Sequence, residues 1–243
     1  MRILIAITAA LLTVDVGVPA RAQVQPPLDV GAFGGRNESL PQLSVPSSLR
    51  QFIPRGAFLR AILKTQMALE GETCLLYDNG DNDSLELHLD AIQHGKATTL
   101  FNGAVSGFAG LVPFNIEPKR QALGFAYHVG FDCSDTTFVV YAASQGSYER
   151  IFELQTTEGK MEIVESPRVR LTIWSADGEF DPPDASCIWC PHRYHVQSYS
   201  WRRGKFKVIH ESLTWEFLNP SEIAGKPFIL LPAQPSAAHS SRP

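Results

Sequence analysis

Hydrophobic and polar positions alternate with a period of two along much of this chain. Such alternation is typical of strands with one buried face, because successive side chains of a strand point to opposite sides of the sheet. It is clearest at residues 85–89 and 168–173. The same interpretation predicts strands in four further segments: 57–69, 73–77, 121–131 and 137–142.

Two hairpins are predicted where a glycine-containing turn lies between strand patterns. Residues 150–154 and 161–164 flank Thr156-Thr157-Glu158-Gly159, and residues 194–201 and 205–210 flank Arg202-Arg203-Gly204. Glycine enters the backbone conformations of tight turns without steric cost. A helix signal occurs at residues 47–53, where a serine favours the N-terminus and Pro54 argues against a long helix. Residues 57–69 are rich in helix formers and are ambiguous between helix and strand, and the strand is favoured because strand patterns follow.

These elements predict one mainly β domain over residues 51–233. Its antiparallel hairpins would follow one another as a meander, with few helices, in a sandwich or a partial barrel. Residues 23–50 are rich in proline, glycine and serine, which predicts a linker or an arm lying on the domain. Residues 234–243 are expected to form a disordered polar tail.

The N-terminus has the pattern of an export signal over residues 1–22. Arg2 precedes an uncharged apolar run at 3–12, and Val18-Pro19-Ala20-Arg21-Ala22 ends in a small-x-small cleavage pattern. The run is too short to span a bilayer, which takes about 20 apolar residues. No later segment is apolar for long enough either, so we expect a mature chain without a transmembrane segment, in the periplasm or outside the cell.

Composition limits the classes of function. A hydrophobic content of 44% suffices for a packed core, and a formal net charge of −4 argues against a general nucleic-acid binder. An exported chain with four cysteines favours disulfides, and we favour the pairs Cys187–Cys190 and Cys74–Cys133, although spacing alone does not fix the connectivity. Two alternatives for the segment 187–195 are a redox dithiol and a zinc site that adds His192 and His195.

The acidic turn at residues 78–83 is a candidate calcium site. Asn79, Asp81 and Asp83 supply oxygen ligands at alternate positions, although the same residues also favour a solvated turn without any metal. Strand, acidic turn and strand together resemble a degenerate integrin-type FG-GAP repeat of bacterial exported proteins, over residues 52–90 and faintly over 125–155. The resemblance implies calcium bound between two strands. The chain departs from that pattern where Ser84 replaces a glycine.

Aromatic side chains near the second hairpin predict a recognition surface. The candidates are Trp189, Tyr194 and Trp201, which suit a peptide or a glycan, and packing in the core is the alternative. No Gly-x-Ser-x-Gly motif, phosphate loop or dinucleotide motif occurs, and no catalytic residue is assigned. We therefore predict an exported, non-catalytic binding or envelope-associated module without a required cofactor, calcium being the one candidate. Its partner would be an unknown peptide, glycan or envelope protein, and the alternative is a secreted hydrolase with a dispersed active site.

Overall fold

The computed structural model describes residues 42–68, 71–81, 85–130, 135–144, 146–157, 159–164, 168–176, 191–219 and 230–232. Within these ranges one short 3₁₀ helix, Arg50–Phe52, precedes a series of antiparallel strands. The strands are β1 (Phe58–Thr65), β2 (Glu72–Asp78), β3 (Glu86–Gln93), β4 (Lys96–Ala104), β5 (Gly107–Glu117), β6 (Arg120–Val129), β7 (Asp135–Ser144), β8 (Ser147–Thr157), β9 (Lys160–Val164), β10 (Arg170–Ala176), β11 (Tyr194–Arg202), β12 (Lys205–Thr214) and β13 (Leu230–Pro232). No helix in the described ranges is long and apolar enough to cross a membrane.

The strands form three sheets, each a meander in which chain neighbours are also sheet neighbours. Sheet 1 contains β1 to β4, sheet 2 contains β5 to β8, and sheet 3 contains β9 to β13. The prediction of a mainly antiparallel β fold in meander order is therefore confirmed. The described strands do not close into a barrel, and the sheets instead pack as a sandwich with sheet 2 as its middle layer.

The two faces of sheet 2 belong to two different hydrophobic cores, as β7 shows. Phe138 and Val140 pack against sheet 3, whereas Val139 and Tyr141 pack against sheet 1. A strand that is covered on both faces loses the alternation of polar and apolar residues. This explains why residues 137–142 form a nearly continuous hydrophobic run.

The outer face of sheet 1 is covered by the segment that precedes β1. Leu43, Val45 and Phe52 pack on buried side chains of β1 and β2, and the backbone N–H of Leu43 donates to Leu59 O over 2.9 Å. From residue 42 onward the predicted arm therefore lies on the domain. The helix signal at 47–53 gives a single 3₁₀ turn whose N-cap is Leu49, without the predicted serine cap.

The prediction of a hairpin around residues 156–159 is wrong. The first predicted strand corresponds to β8, which pairs with β7 in sheet 2. The second corresponds to β9, which pairs with β10 in sheet 3. The chain crosses between sheets at Gly159, where a Cβ atom would collide with the Thr156 side chain and lie 2.9 Å from the carbonyl oxygen of Trp174. The glycine thus permits a close backbone approach instead of closing a turn between paired strands.

The hairpin predicted at the second glycine is confirmed as β11 and β12. Arg202 pairs with Lys205, and the two residues between them, Arg203 and Gly204, have φ values of 52° and 79°. Positive φ at both central positions is the signature of a two-residue turn whose twist matches the strands on either side. This hairpin brings the end of β12 beside the start of β11, where the candidate site lies.

Candidate functional site: an exposed aromatic surface beside the start of β11

A short antiparallel bridge fixes the chain where β11 begins and β12 has ended. The N–H groups of His192 and Leu218 each donate to the other residue's carbonyl oxygen, over 2.9 and 2.8 Å. The Thr214 side chain adds two hydrogen bonds: its Oγ1 accepts from the N–H of Tyr194 and donates to the carbonyl oxygen of Glu216. The segment 215–217 is therefore held at both of its ends.

Two large aromatic side chains in this segment face solvent. Trp215 is 60% exposed and Phe217 is 40% exposed, while Leu218 next to them is buried. The Arg193 guanidinium lies 5.0 Å from the Phe217 ring centroid and 6.0 Å from that of Trp215. We call Arg193, Trp215 and Phe217 the aromatic–arginine surface. Both contacts fall within the range of cation–π attraction, which favours this relative placement of the three side chains.

The sequence-predicted aromatic candidates lie elsewhere. Tyr194 is fully buried, and Trp201 is 9% exposed in the core between sheets 2 and 3. The Trp201 ring contacts Phe206 edge-on, and its Nε1–H donates to Glu117 Oε1 over 2.7 Å. Neither side chain forms the expected exposed recognition surface, and Trp189 lies outside the described residues.

Sequence reasoning missed Trp215 and Phe217, although a signal for them exists. They lie two residues apart in Thr214-Trp215-Glu216-Phe217, just beyond the last residue of β12. Residues two apart in an extended chain share a face, and aromatic residues past the end of a strand have no neighbouring strand to cover them. What the sequence does not contain is the bridge from His192 to Leu218 that brings Arg193 to these rings.

Asn79, one of the candidate metal ligands of the acidic turn, binds backbone N–H groups through its side chain. Asn79 Oδ1 accepts from the N–H groups of Asp81 and Glu86, over 3.2 and 3.1 Å, as an Asx turn does. The neighbouring Asp78 is buried and pairs with Arg60, whose Nε lies 2.6 Å from Asp78 Oδ2. Asp83 lies outside the described residues. Among the described residues no three histidine, cysteine or acidic side chains converge to hold a metal, and calcium binding stays a prediction.

Cys74 is a free thiol in the structure, so the expected Cys74–Cys133 bond is not formed there. Its Sγ faces the core between sheets 1 and 2 and lies 3.5 Å from Thr65 Oγ1. Burial raises the pKa of the thiol from 9.0 to about 12, which keeps it protonated and unreactive at neutral pH. Cys133, Cys187 and Cys190 lie outside the described residues, so the pairing of Cys187 with Cys190 stays a prediction.

One histidine is paired with a carboxylate near the aromatic–arginine surface. His195 Nε2 lies 2.8 Å from Glu211 Oε1, and the same oxygen accepts from Gln197 Nε2 at 2.8 Å. Ser175 is directly opposite His195 in the pairing of β10 with β11. Odd-numbered residues of both strands face sheet 2, as Ile173 and Tyr199 do. Ser175, His195 and Glu211 therefore follow one another on one face of three adjacent strands.

Other histidines have structural surroundings. His88 stacks on the Tyr77 ring with centroids 4.9 Å apart, and His128 Nδ1 lies 3.2 Å from Thr136 Oγ1. Burial lowers the pKa of His128, which keeps its ring neutral at physiological pH. His192 is buried and its backbone bridges Leu218, whereas the His195 ring pairs with Glu211. Since Cys187 and Cys190 lie outside the described residues, the suggested zinc site stays a prediction.

Comparison with family models, curated proteins and solved structures found no match to this chain. The resemblance to FG-GAP repeats therefore stays a prediction from the sequence.

Proposed function

We propose that the chain is an exported, non-catalytic binding module that recognises a protein or peptide partner through the aromatic–arginine surface. The observation that carries the proposal is the 60% exposure of Trp215, flanked by Phe217 and Arg193 on a rigid segment. Export rests on the signal pattern at residues 1–22.

The residue types favour a protein or peptide over the glycan that the sequence left open. Tryptophan and arginine are the side chains most enriched at the energetic centres of protein interfaces, and phenylalanine is enriched in interface cores. A cluster of these three is therefore unusual on a surface that no described part of the chain covers.

Covering this surface would contribute a substantial part of a binding energy. Covering the exposed part of a tryptophan removes on the order of 150 Å² from water, which at about 25 cal/mol per Å² contributes roughly 4 kcal/mol. The bridge from His192 to Leu218 holds the rings before any partner arrives. Less conformational entropy is then lost on association, which adds to affinity without a further contact.

The proposal is tested with random-sequence peptides displayed on phage and selected on the purified protein. Selected peptides are synthesised, and their affinities are measured for the wild type, Trp215→Ala and Val208→Ala. Val208 is the matched control, because it is an apolar side chain of β12 that is 50% exposed outside the aromatic–arginine surface. We expect Trp215→Ala to weaken binding at least about 30-fold, as loss of an interface hot spot does, and Val208→Ala to leave it unchanged.

The proposal fails if no peptide is enriched, or if the selected peptides bind Trp215→Ala as tightly as they bind the wild type. Far-UV circular dichroism of each variant establishes that the β fold is retained. Because Trp215 is 60% exposed, a loss of binding in a variant that keeps its β fold reports on the surface.

A second candidate function, hydrolysis, is suggested by the row of Ser175, His195 and Glu211, in which the Ser175 hydroxyl donates to the carbonyl oxygen of Ala176 over 3.4 Å. A serine beside a histidine that is oriented by an acid is the arrangement of nucleophilic hydrolases. The test is labelling by a fluorophosphonate, which reacts with activated serines, followed by mass spectrometry of the labelled peptide. Modification of Ser175 that is lost in His195→Ala would support a hydrolase. Absence of label at Ser175 would exclude hydrolysis at this serine.

A further inference from the structure

Sheet edges are places where chains associate, because an edge strand presents unpaired backbone N–H and C=O groups. Most edge strands of this protein carry features that discourage pairing. The edge of β1 receives a hydrogen bond from Leu43, and β5 contains Pro113. The remaining protected edges are β8, with charged residues at positions 149, 150 and 153, β9, which is only five residues long, and β13, which has three residues and ends in a proline.

Strand β4 differs from these edges. It runs for nine residues from Lys96 to Ala104, and after Lys96 it contains no charge and no proline. Ala97, Thr98 and Thr99 are exposed, so no described part of the chain covers them. Within the described residues β4 pairs on one side only, with β3. Its composition is rich in threonine and apolar residues, which suit a strand with a neighbour on each side.

We propose that β4 is an interface with a second copy of this chain, which pairs with it antiparallel across a twofold axis. The proposal is independent of the aromatic–arginine surface, which lies on sheet 3. A second copy is favoured over another extended segment because β4 is complementary to itself. Centred between Leu100 and Phe101, a self-pairing places Thr99 of one copy opposite Asn102 of the other.

The irregularity within β4 makes this register consistent with the faces of the sheet. Thr99 pairs with Asp90 and Asn102 pairs with His88, so both point to the outer face of sheet 1 despite being three residues apart. Residues three apart normally lie on opposite faces of a strand, but the register shift between these pairs inserts one extra residue into β4 and returns Asn102 to the face of Thr99. In the same self-pairing, Lys96 of one copy lies opposite Val105 of the other, at each end of the interface. Lys96 is the one charged residue of β4, so no two like charges are opposed across the interface. The four strands of sheet 1 from each copy then form one continuous sheet of eight strands.

The proposal is tested by exchanging charges at the two opposed positions. One variant carries Thr99→Lys and Asn102→Lys, and a second carries Thr99→Glu and Asn102→Glu. Like charges directly opposite each other in a sheet are destabilising, whereas opposite charges attract. We expect the wild-type protein to sediment as a dimer, each variant alone as a monomer, and an equimolar mixture of the two variants as a heterodimer. Thr99 also pairs with Asp90 within its own chain, so Thr99→Glu places a like charge there, and circular dichroism of each variant alone establishes that the β fold is retained.

Three outcomes would overturn the proposal: a wild-type monomer at every protein concentration, variants that both remain dimers, or a mixture that does not associate. The mixture also separates loss of the interface from loss of folding, because two unfolded chains would not regain a defined dimer. Since neither position lies on sheet 3, peptide binding at Trp215 is expected to be the same in both variants.

Discussion

Replacing Trp201 with alanine should unfold the protein more readily, not abolish recognition. Trp201 is 9% exposed and belongs to the core between sheets 2 and 3. Phe206 packs edge-on against its ring with centroids 5.1 Å apart, and the Arg120 guanidinium lies 5.4 Å from the ring centroid. Truncation would remove these contacts together and leave Glu117 without its indole donor.

The magnitude follows from the buried area. A buried tryptophan removes about 150–250 Å² from water, which at about 25 cal/mol per Å² stabilises the fold by about 4–6 kcal/mol. Partial relaxation around the cavity reduces this, and a loss of about 3–5 kcal/mol in unfolding free energy is expected. For a domain of this size such a loss lowers Tm by roughly 10 °C or more. The hydrogen bond to Glu117 contributes only about 1 kcal/mol of the loss, because that carboxylate is partly exposed.

The assay is urea unfolding followed by far-UV circular dichroism, with Trp215→Ala as the matched control. Both variants lose one indole, but Trp215 is 60% exposed, so its removal should change stability by no more than about 0.5 kcal/mol. A loss below about 1 kcal/mol for Trp201→Ala would refute the placement of this ring in the core. Equal losses in the two variants would refute the contrast between a packed and a recognising tryptophan.

Three further results are expected. Stability should fall as pH rises above about 9, because the folded state keeps the Cys74 proton up to a pKa of about 12 while the unfolded state releases it near 9.0; a urea midpoint independent of pH from 8 to 11 would contradict this. Asp78→Asn should cost about 3–5 kcal/mol by leaving the Arg60 charge without its buried partner, whereas Glu153→Gln, in an exposed ion pair, should cost under about 1 kcal/mol in the same urea assay. Asn79→Ala should cost about 1 kcal/mol, measured with a chelator present, since its side chain accepts two backbone N–H groups; a loss seen only when calcium is added would instead assign a metal role.

The fold class could be predicted because its signals are local. Alternation at residues 85–89 and 168–173 reports a half-buried strand directly, and β3 and β10 include most of these residues. Gly204 readily adopts the positive φ that the two-residue turn between β11 and β12 requires. The same logic failed at Gly159, because nothing in residues 150–164 says that β8 and β9 pair with other partners in different sheets.

The candidate site could not be predicted because burial depends on which surfaces meet. Trp201 and Trp215 follow similar strand patterns, yet sheet 2 covers the first and nothing in the described residues covers the second. Arg193 reaches the exposed rings only through the bridge from His192 to Leu218, which joins residues 26 positions apart. Such pairings are fixed by the tertiary fold, and their positions along the chain carry no local pattern.

The most direct test of recognition at this surface is the affinity of a phage-selected peptide for the wild type and for Trp215→Ala, compared under one buffer. We expect the substitution to cost at least about 2 kcal/mol of binding free energy, with unfolding free energy unchanged. Equal affinity for both proteins would contradict the assignment of recognition to the aromatic–arginine surface.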